Sequence, residues 1–132
     1  MRVNNWAEIL TDYLVSEGET AFVWGINDCC RFAGRVAALM TGEDHTQAYE
    51  CNSAREAKAL LEVLGGVANI ADEFYPRLPV GLAQRGDIVE AVVNETGETA
   101  LGICNGEDAV FKAGEGLLRL PMNHVIRAWG VR

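Results

Sequence analysis

Cys29 is the residue best placed for chemistry. It follows Trp24-Gly25-Ile26-Asn27-Asp28 and opens a run, Phe32, Ala33, Val36, Ala37, Leu39 and Met40, whose apolar spacing is that of a helix over about 29–40. A thiol in the first turn of a helix lies near unsatisfied backbone N–H groups and the positive end of the macrodipole. Both favour the thiolate, which is the nucleophilic form. Asp28 is a suitable N-cap, but an ionised carboxylate beside the thiol opposes its ionisation. The competing role for Cys29 is a buried structural thiol.

A thiol nucleophile needs a base within hydrogen-bond reach, and the chain has two histidines. His45 follows the helix that Cys29 begins, so it would have to fold back about 16 Å, given a rise of about 1.5 Å per residue. His124 stands just before the last expected strand, where sheet order could bring it towards Cys29, and it is the weak candidate base. The remaining cysteines are Cys30, Cys51 and Cys104. None of the four forms a C-x-x-C pair, so a zinc site has little support and no cofactor is expected. A metal or cluster site would require these thiols to converge in one assembly. Adjacent cysteines rarely bond to each other. Cys51 and Cys104 read as small buried hydrophobes.

The elements that must position Cys29 follow from periodicity. Residues 5–16 form an amphipathic helix through Trp6, Ile9, Leu10, Tyr13 and Leu14, with Asn5 as cap and Glu8 placed for a capping box. Thr41-Gly42 stops the second helix, and residues 43–52 are polar and irregular. Ser53 and Glu56 make a further capping box, opening a helix through Leu64 that Gly65-Gly66 closes. A short helix is expected from Val67 to Tyr75, ended by Pro76. Beyond Pro79 the pattern becomes strands and turns: Ile88–Val93, Thr99–Cys104, Ala109–Ala113, Leu117–Leu120 and Ile126–Val131. Helices first and antiparallel strands second make an α+β domain, and residues 1–132 are expected to form one domain.

Composition narrows the function. A chain of 132 residues, 49% hydrophobic, can build a core without staples. The net charge is −8, with ten acidic and five basic residues in 1–66 and nine and six in 67–132. With no basic stripe, binding of nucleic acid through phosphates is disfavoured. With no acidic block, mimicry of DNA is disfavoured too. No apolar run reaches the ~20 residues of a membrane span, and the N-terminus shows no signal-peptide pattern.

Trp24-Gly25-x-x-Asp28-Cys29 followed by an apolar helix resembles the nucleophile motif of the NlpC/p60 cell-wall peptidases. Gly86-Asp87-Ile88-Val89 resembles the strand that this family places before its histidine strand, and Leu101-Gly102-Ile103 resembles the V-G-I after its catalytic histidine. The short form ending in Arg127-Ala128-Trp129 is similar to small phage and prophage proteins related to that family. The resemblance implies a papain-like fold with N-terminal helices packed on a C-terminal antiparallel sheet. It also implies a place in a phage tail, in the tail tip or tail assembly: made in the host cytoplasm, carried in the virion, and partnered by other tail proteins. The departures imply a degenerate peptidase site. The family's histidine position holds Ala100, its third polar position falls on Lys112, and Cys30-Arg31 replaces the usual Ser-Gly. Lys112 or Arg31 could still supply positive charge to the Cys29 thiol. The alternative is an active cysteine endopeptidase that cleaves peptidoglycan cross-links, with Cys29 as nucleophile and His124 as base.

Overall fold

The apolar segments that must be buried divide into helices with one wet side and strands apolar on both sides. In the computed structural model, residues 2–20, 29–43, 53–114 and 116–132 are described, except for the side chains of 29, 30 and 54. The expectations for Trp24, Gly25, Asp28, His45 and Cys51 lie outside the described residues. Helix α1 spans Trp6–Glu17, α2 Cys29–Thr41, α3 Ala54–Leu64 and α4 Val67–Phe74. The Ser53 hydroxyl accepts the Glu56 N–H at 3.1 Å, which is the expected cap of α3. Asn5, by contrast, makes no side-chain cap on α1. Tyr75 is extended and lies outside α4, because a residue before proline is sterically pushed out of the helical region.

The strands are β1 (Arg77–Leu78), β2 (Ile88–Val92), β3 (Thr99–Cys104), β4 (Asp108–Ala113), β5 (Gly116–Pro121) and β6 (Val125–Trp129). They form one six-stranded sheet in the order β1-β6-β2-β3-β4-β5, and every pairing is antiparallel. The chain is thus an α+β fold with four helices and a six-stranded antiparallel sheet. The last strand returns to lie beside β2, at Ile88↔Trp129 and Val89↔Ala128. The two-residue β1 pairs outside it, and sequence reading did not anticipate that strand. One-turn 3-10 helices at Val80–Leu82 and Met122–His124 lead into β2 and β6.

Each face of the sheet has its own core. Phe32, Ala33, Val36, Ala37 and Met40 of α2 pack with Ile88, Leu101, Ile103, Val110 and Trp129 on one face. The alternate residues Val89, Ala91, Ala100, Cys104, Ala109, Phe111, Val125 and Ala128 form a second cluster on the other. Two motif glycines have packing reasons. Gly86 has φ +96°, and a Cβ there would lie 2.7 Å from the Met40 methyl. A Cβ on Gly102 would lie 2.5 Å from both the Phe111 ring and the Val110 carbonyl.

Candidate functional site

Helices α1 and α2 run side by side in opposite directions. The Val3 N–H donates to the Met40 carbonyl at 2.6 Å, at the start of α1 and the end of α2. Further along, the Tyr13 and Phe32 rings stack with centroids 6.0 Å apart. The end of α1 therefore lies at the end of α2 that Cys29 begins. Because Met40 packs against Gly86, this is the end of α2 away from the β2 entry.

Lys112 reaches this end from the sheet. Its position on β4 shares the helix-facing side with Val110, since strand residues two apart point the same way. The side chain is fully buried and its ammonium meets the last turn of α1. It donates to the Glu17 carbonyl at 2.9 Å, to the Thr20 hydroxyl oxygen at 2.8 Å and to the Thr20 carbonyl. It also pairs with the Glu17 carboxylate at 3.2 Å. The Thr20 hydroxyl in turn donates to that carboxylate at 2.9 Å. An ammonium has three N–H donors, and the three hydrogen bonds use them all. Helix α1 has no basic residue in its own last turn, so Lys112 supplies from the sheet the cation that its terminal carbonyls favour.

The other two expected positions lie elsewhere. Ala100 belongs to the cluster on the face away from α2, so the residue aligned with the family's histidine turns its back on the helix that carries Cys29. His124 ends the 3-10 turn before β6 and is exposed. The structure thus brings Lys112 to the Cys29 end of α2 but turns Ala100 to the opposite face. Among the described residues no three His, Cys, Asp or Glu side chains converge to hold a metal. Cys104 is buried on the far face, where burial pushes its thiol pKa up and keeps it protonated.

Glu17 and Thr20 were missed by sequence reading, yet Glu17 carried a signal. It continues the Leu10–Leu14 stripe at i+7 and i+3, where an apolar residue was due, and it is buried with them. Lys112 interrupts an apolar strand in the same way. Two opposite charges at core-facing positions are each other's natural partners.

A second charged cluster sits at the other end of α1. The Asp87 carboxylate is wholly buried. Its Oδ1 accepts from Arg2 Nη2 at 2.8 Å, from Arg132 Nη1 at 2.8 Å and from the Val131 N–H at 3.1 Å. Its Oδ2 accepts from the Gln84 N–H at 2.9 Å and from Arg132 Nη2 at 3.2 Å. This is the aspartate of the Gly86-Asp87 motif, and its work is to hold both ends of the chain against the entry of β2.

A family described as a domain of unknown function, DUF6950, matches residues 1–131, and the chain belongs to that family. No curated protein shows significant similarity to it.

Proposed function

We propose that this chain is a papain-like scaffold of NlpC/p60 type with a degenerate peptidase site, working as a phage tail-associated protein in the tail tip or in tail assembly. One observation carries the degenerate half. Lys112, at the family's third polar position, spends all three ammonium protons on Glu17, the last residue of α1, and on Thr20 just beyond it. Ala100, at the histidine position, faces away from α2, so neither residue offers the Cys29 thiol a base. The layout of a Cys-led helix on an antiparallel sheet supports the scaffold half. The tail role rests on resemblance to short phage-encoded relatives of that family, and fold alone does not give it. Its partners are then other tail proteins, with assembly in the host cytoplasm before incorporation into the virion. No helix among the described residues is long and apolar enough to cross a membrane.

Deleting the gene from a phage or prophage that carries it tests the tail role. Tailless or adsorption-defective particles are expected, and the protein should be found by mass spectrometry in purified wild-type virions. Normal infectious particles from the deletion would sink the proposal.

A second reading, an active cysteine endopeptidase on peptidoglycan cross-links, is favoured by Cys29 being the first residue of α2. It requires His124 or another base to reach the thiol. Digestion of muropeptides by wild type and Cys29→Ala separates the two readings. Turnover by wild type that vanishes in Cys29→Ala establishes the peptidase, and no turnover by either supports the degenerate site.

A further inference from the structure

The sequence has one Asn-Gly pair, Asn105-Gly106, and it falls in the turn between β3 and β4. The Asn105 N–H donates to the Asp108 carbonyl at 2.8 Å, so Gly106 and Glu107 form the tip. Gly106 has φ +92° while Glu107 keeps a negative φ, which is the glycine-first form of a two-residue hairpin. Both tip residues are exposed to water. No side chain shields the Gly106 nitrogen, and its N–H enters no backbone hydrogen bond among the described residues. It meets the Cys104 sulfur, a weak acceptor. The neighbouring electrophile is the side-chain amide carbon of Asn105, Cγ, at the chain spacing that closes a five-membered ring.

Arg85 lies on the oxygen of that amide. Its Nε donates to Asn105 Oδ1 at 3.0 Å. Its Nη2 donates to the Thr11 hydroxyl oxygen on α1 at 2.6 Å, and its own carbonyl accepts from Arg2 Nη1 at 2.8 Å, so the guanidinium is braced at both ends of the residue. The Gly86 N–H donates to the Cys104 carbonyl at 2.8 Å, which fixes the entry of β2 against the residue before Asn105. A cationic donor held on a carbonyl oxygen draws electrons from its carbon and stabilises the oxyanion formed on attack.

We propose that Asn105 is a self-modification site, deamidated by the Gly106 backbone nitrogen with Arg85 assisting and water as co-reactant. Hydroxide takes the Gly106 N–H proton, and the nitrogen attacks Asn105 Cγ. The new C–N bond forms as the C=O pair moves onto Oδ1, where the Arg85 Nε–H holds it. The oxyanion collapses, the Cγ–Nδ2 bond breaks, and Nδ2 takes a proton from water and leaves as ammonia. A second water opens the cyclic imide at either carbonyl, giving aspartate or isoaspartate. The net change is amide plus water to carboxylate plus ammonium, so the chain becomes one unit more negative than −8. An aspartate at 105 keeps its partner, because the Arg85 contact becomes a charge-assisted one. Isoaspartate adds a backbone carbon to the hairpin and disturbs the β3–β4 register. The chemistry uses neither Cys29 nor the tail role, and stands if both fail.

The test is incubation of the full chain in mildly alkaline buffer, with and without denaturing urea. Peptide mapping by mass spectrometry reads the gain of one mass unit at Asn105, and electron-transfer fragmentation separates aspartate from isoaspartate. The expected result is conversion at Asn105 at least as fast in the folded chain as in the urea-unfolded chain, because the Arg85 contact exists only when folded. In folded Arg85→Met the conversion should slow about tenfold, by loss of one charged hydrogen-bond donor to the oxyanion. Thr11→Val, at an exposed position on α1, removes only the brace on the guanidinium. It should slow conversion less, and it serves if circular dichroism shows that Arg85→Met does not fold. Slower conversion in folded than in unfolded wild type overturns the proposal, since the turn then protects Asn105. A rate unchanged or raised in the folded variants overturns it too, since Arg85 would then be a bystander or a clamp.

Discussion

The two ends of α1 carry buried charge in opposite arrangements. At its C-terminal end the Glu17 carboxylate meets the Lys112 ammonium, and both are sealed: their side chains are 9% and 0% exposed. At its N-terminal end one carboxylate meets two guanidiniums, and one of these opens onto a depression. Burying a charge costs several kcal/mol unless it is paired and hydrogen-bonded, so the first arrangement is self-sufficient. The second is partly open to solvent, since the Arg132 side chain is 48% exposed. A sealed cluster excludes solution ions, while a partly open one admits them. The difference also bears on the thiol. Of the cations at that end, Lys112 is already committed to Glu17 and Thr20, while Arg31 lies in the first turn of α2 itself.

Lys112→Met should therefore have the largest effect, a loss of about 3–5 kcal/mol of stability, because it withdraws the ammonium from a buried carboxylate and from three oxygen acceptors. Urea unfolding measures it. Adding Glu17→Gln to that variant should recover part of the loss, since the buried carboxylate is then gone. A Lys112→Met protein as stable as wild type would break the comparison, because the sealed pair would then contribute nothing to holding α1.

Asp87→Asn should cost somewhat less, about 3 kcal/mol, because the amide keeps one acceptor oxygen while two adjacent guanidiniums lose their shared counter-charge. Here the clusters should diverge in kind. Sulfate should restore part of the stability of Asp87→Asn by sitting between the arginines, and should give Lys112→Met no such specific rescue. Equal recovery of both variants would show only the general stabilising action of sulfate, and the contrast between an open and a sealed cluster would fail.

These clusters also show what a sequence can disclose. The helices and the five longer strands follow from periodicity, and their bounds differ from expectation by a residue or two. The face of β3 does not follow. Ala100, Leu101, Gly102, Ile103 and Cys104 are all buried, so the strand has no polar side to mark its orientation. Whether Ala100 looks towards α2 is decided only by the packing of Leu101 and Ile103 against that helix. The β1–β6 pairing, two residues long, is too short to leave a pattern. Asp87 finds Arg2 and Arg132 at separations of 85 and 45 residues, a closure that no local rule anticipates. Glu17 and Lys112 were legible singly, as charges on apolar stripes. That Lys112 binds Glu17 and Thr20 at the end of α1 required the third dimension.

The smallest effect is a pH dependence centred on the sealed end. Tyr13 sits on the same side of α1 as Glu17. Burial first, and the Glu17 carboxylate second, push its phenol from 10.0 up to about 12. The charged form is the one disfavoured in the folded protein. Between pH 10 and about 12 the unfolded chain loses this proton while the folded chain keeps it, so stability falls as pH rises through that window and is fully present below it. The phenol is only half-buried, and solvent screening reduces the linked loss to about 1 kcal/mol. Urea midpoints at pH 9 and near pH 12 measure the drop, and Tyr13→Phe should remove this component while leaving the contribution of other groups. If Tyr13→Phe leaves the alkaline slope unchanged, the phenol ionises as freely in the folded state as in the unfolded one. The end of α1 that Lys112 closes would then be open to solvent, and the distinction between its two ends would rest on charge balance alone.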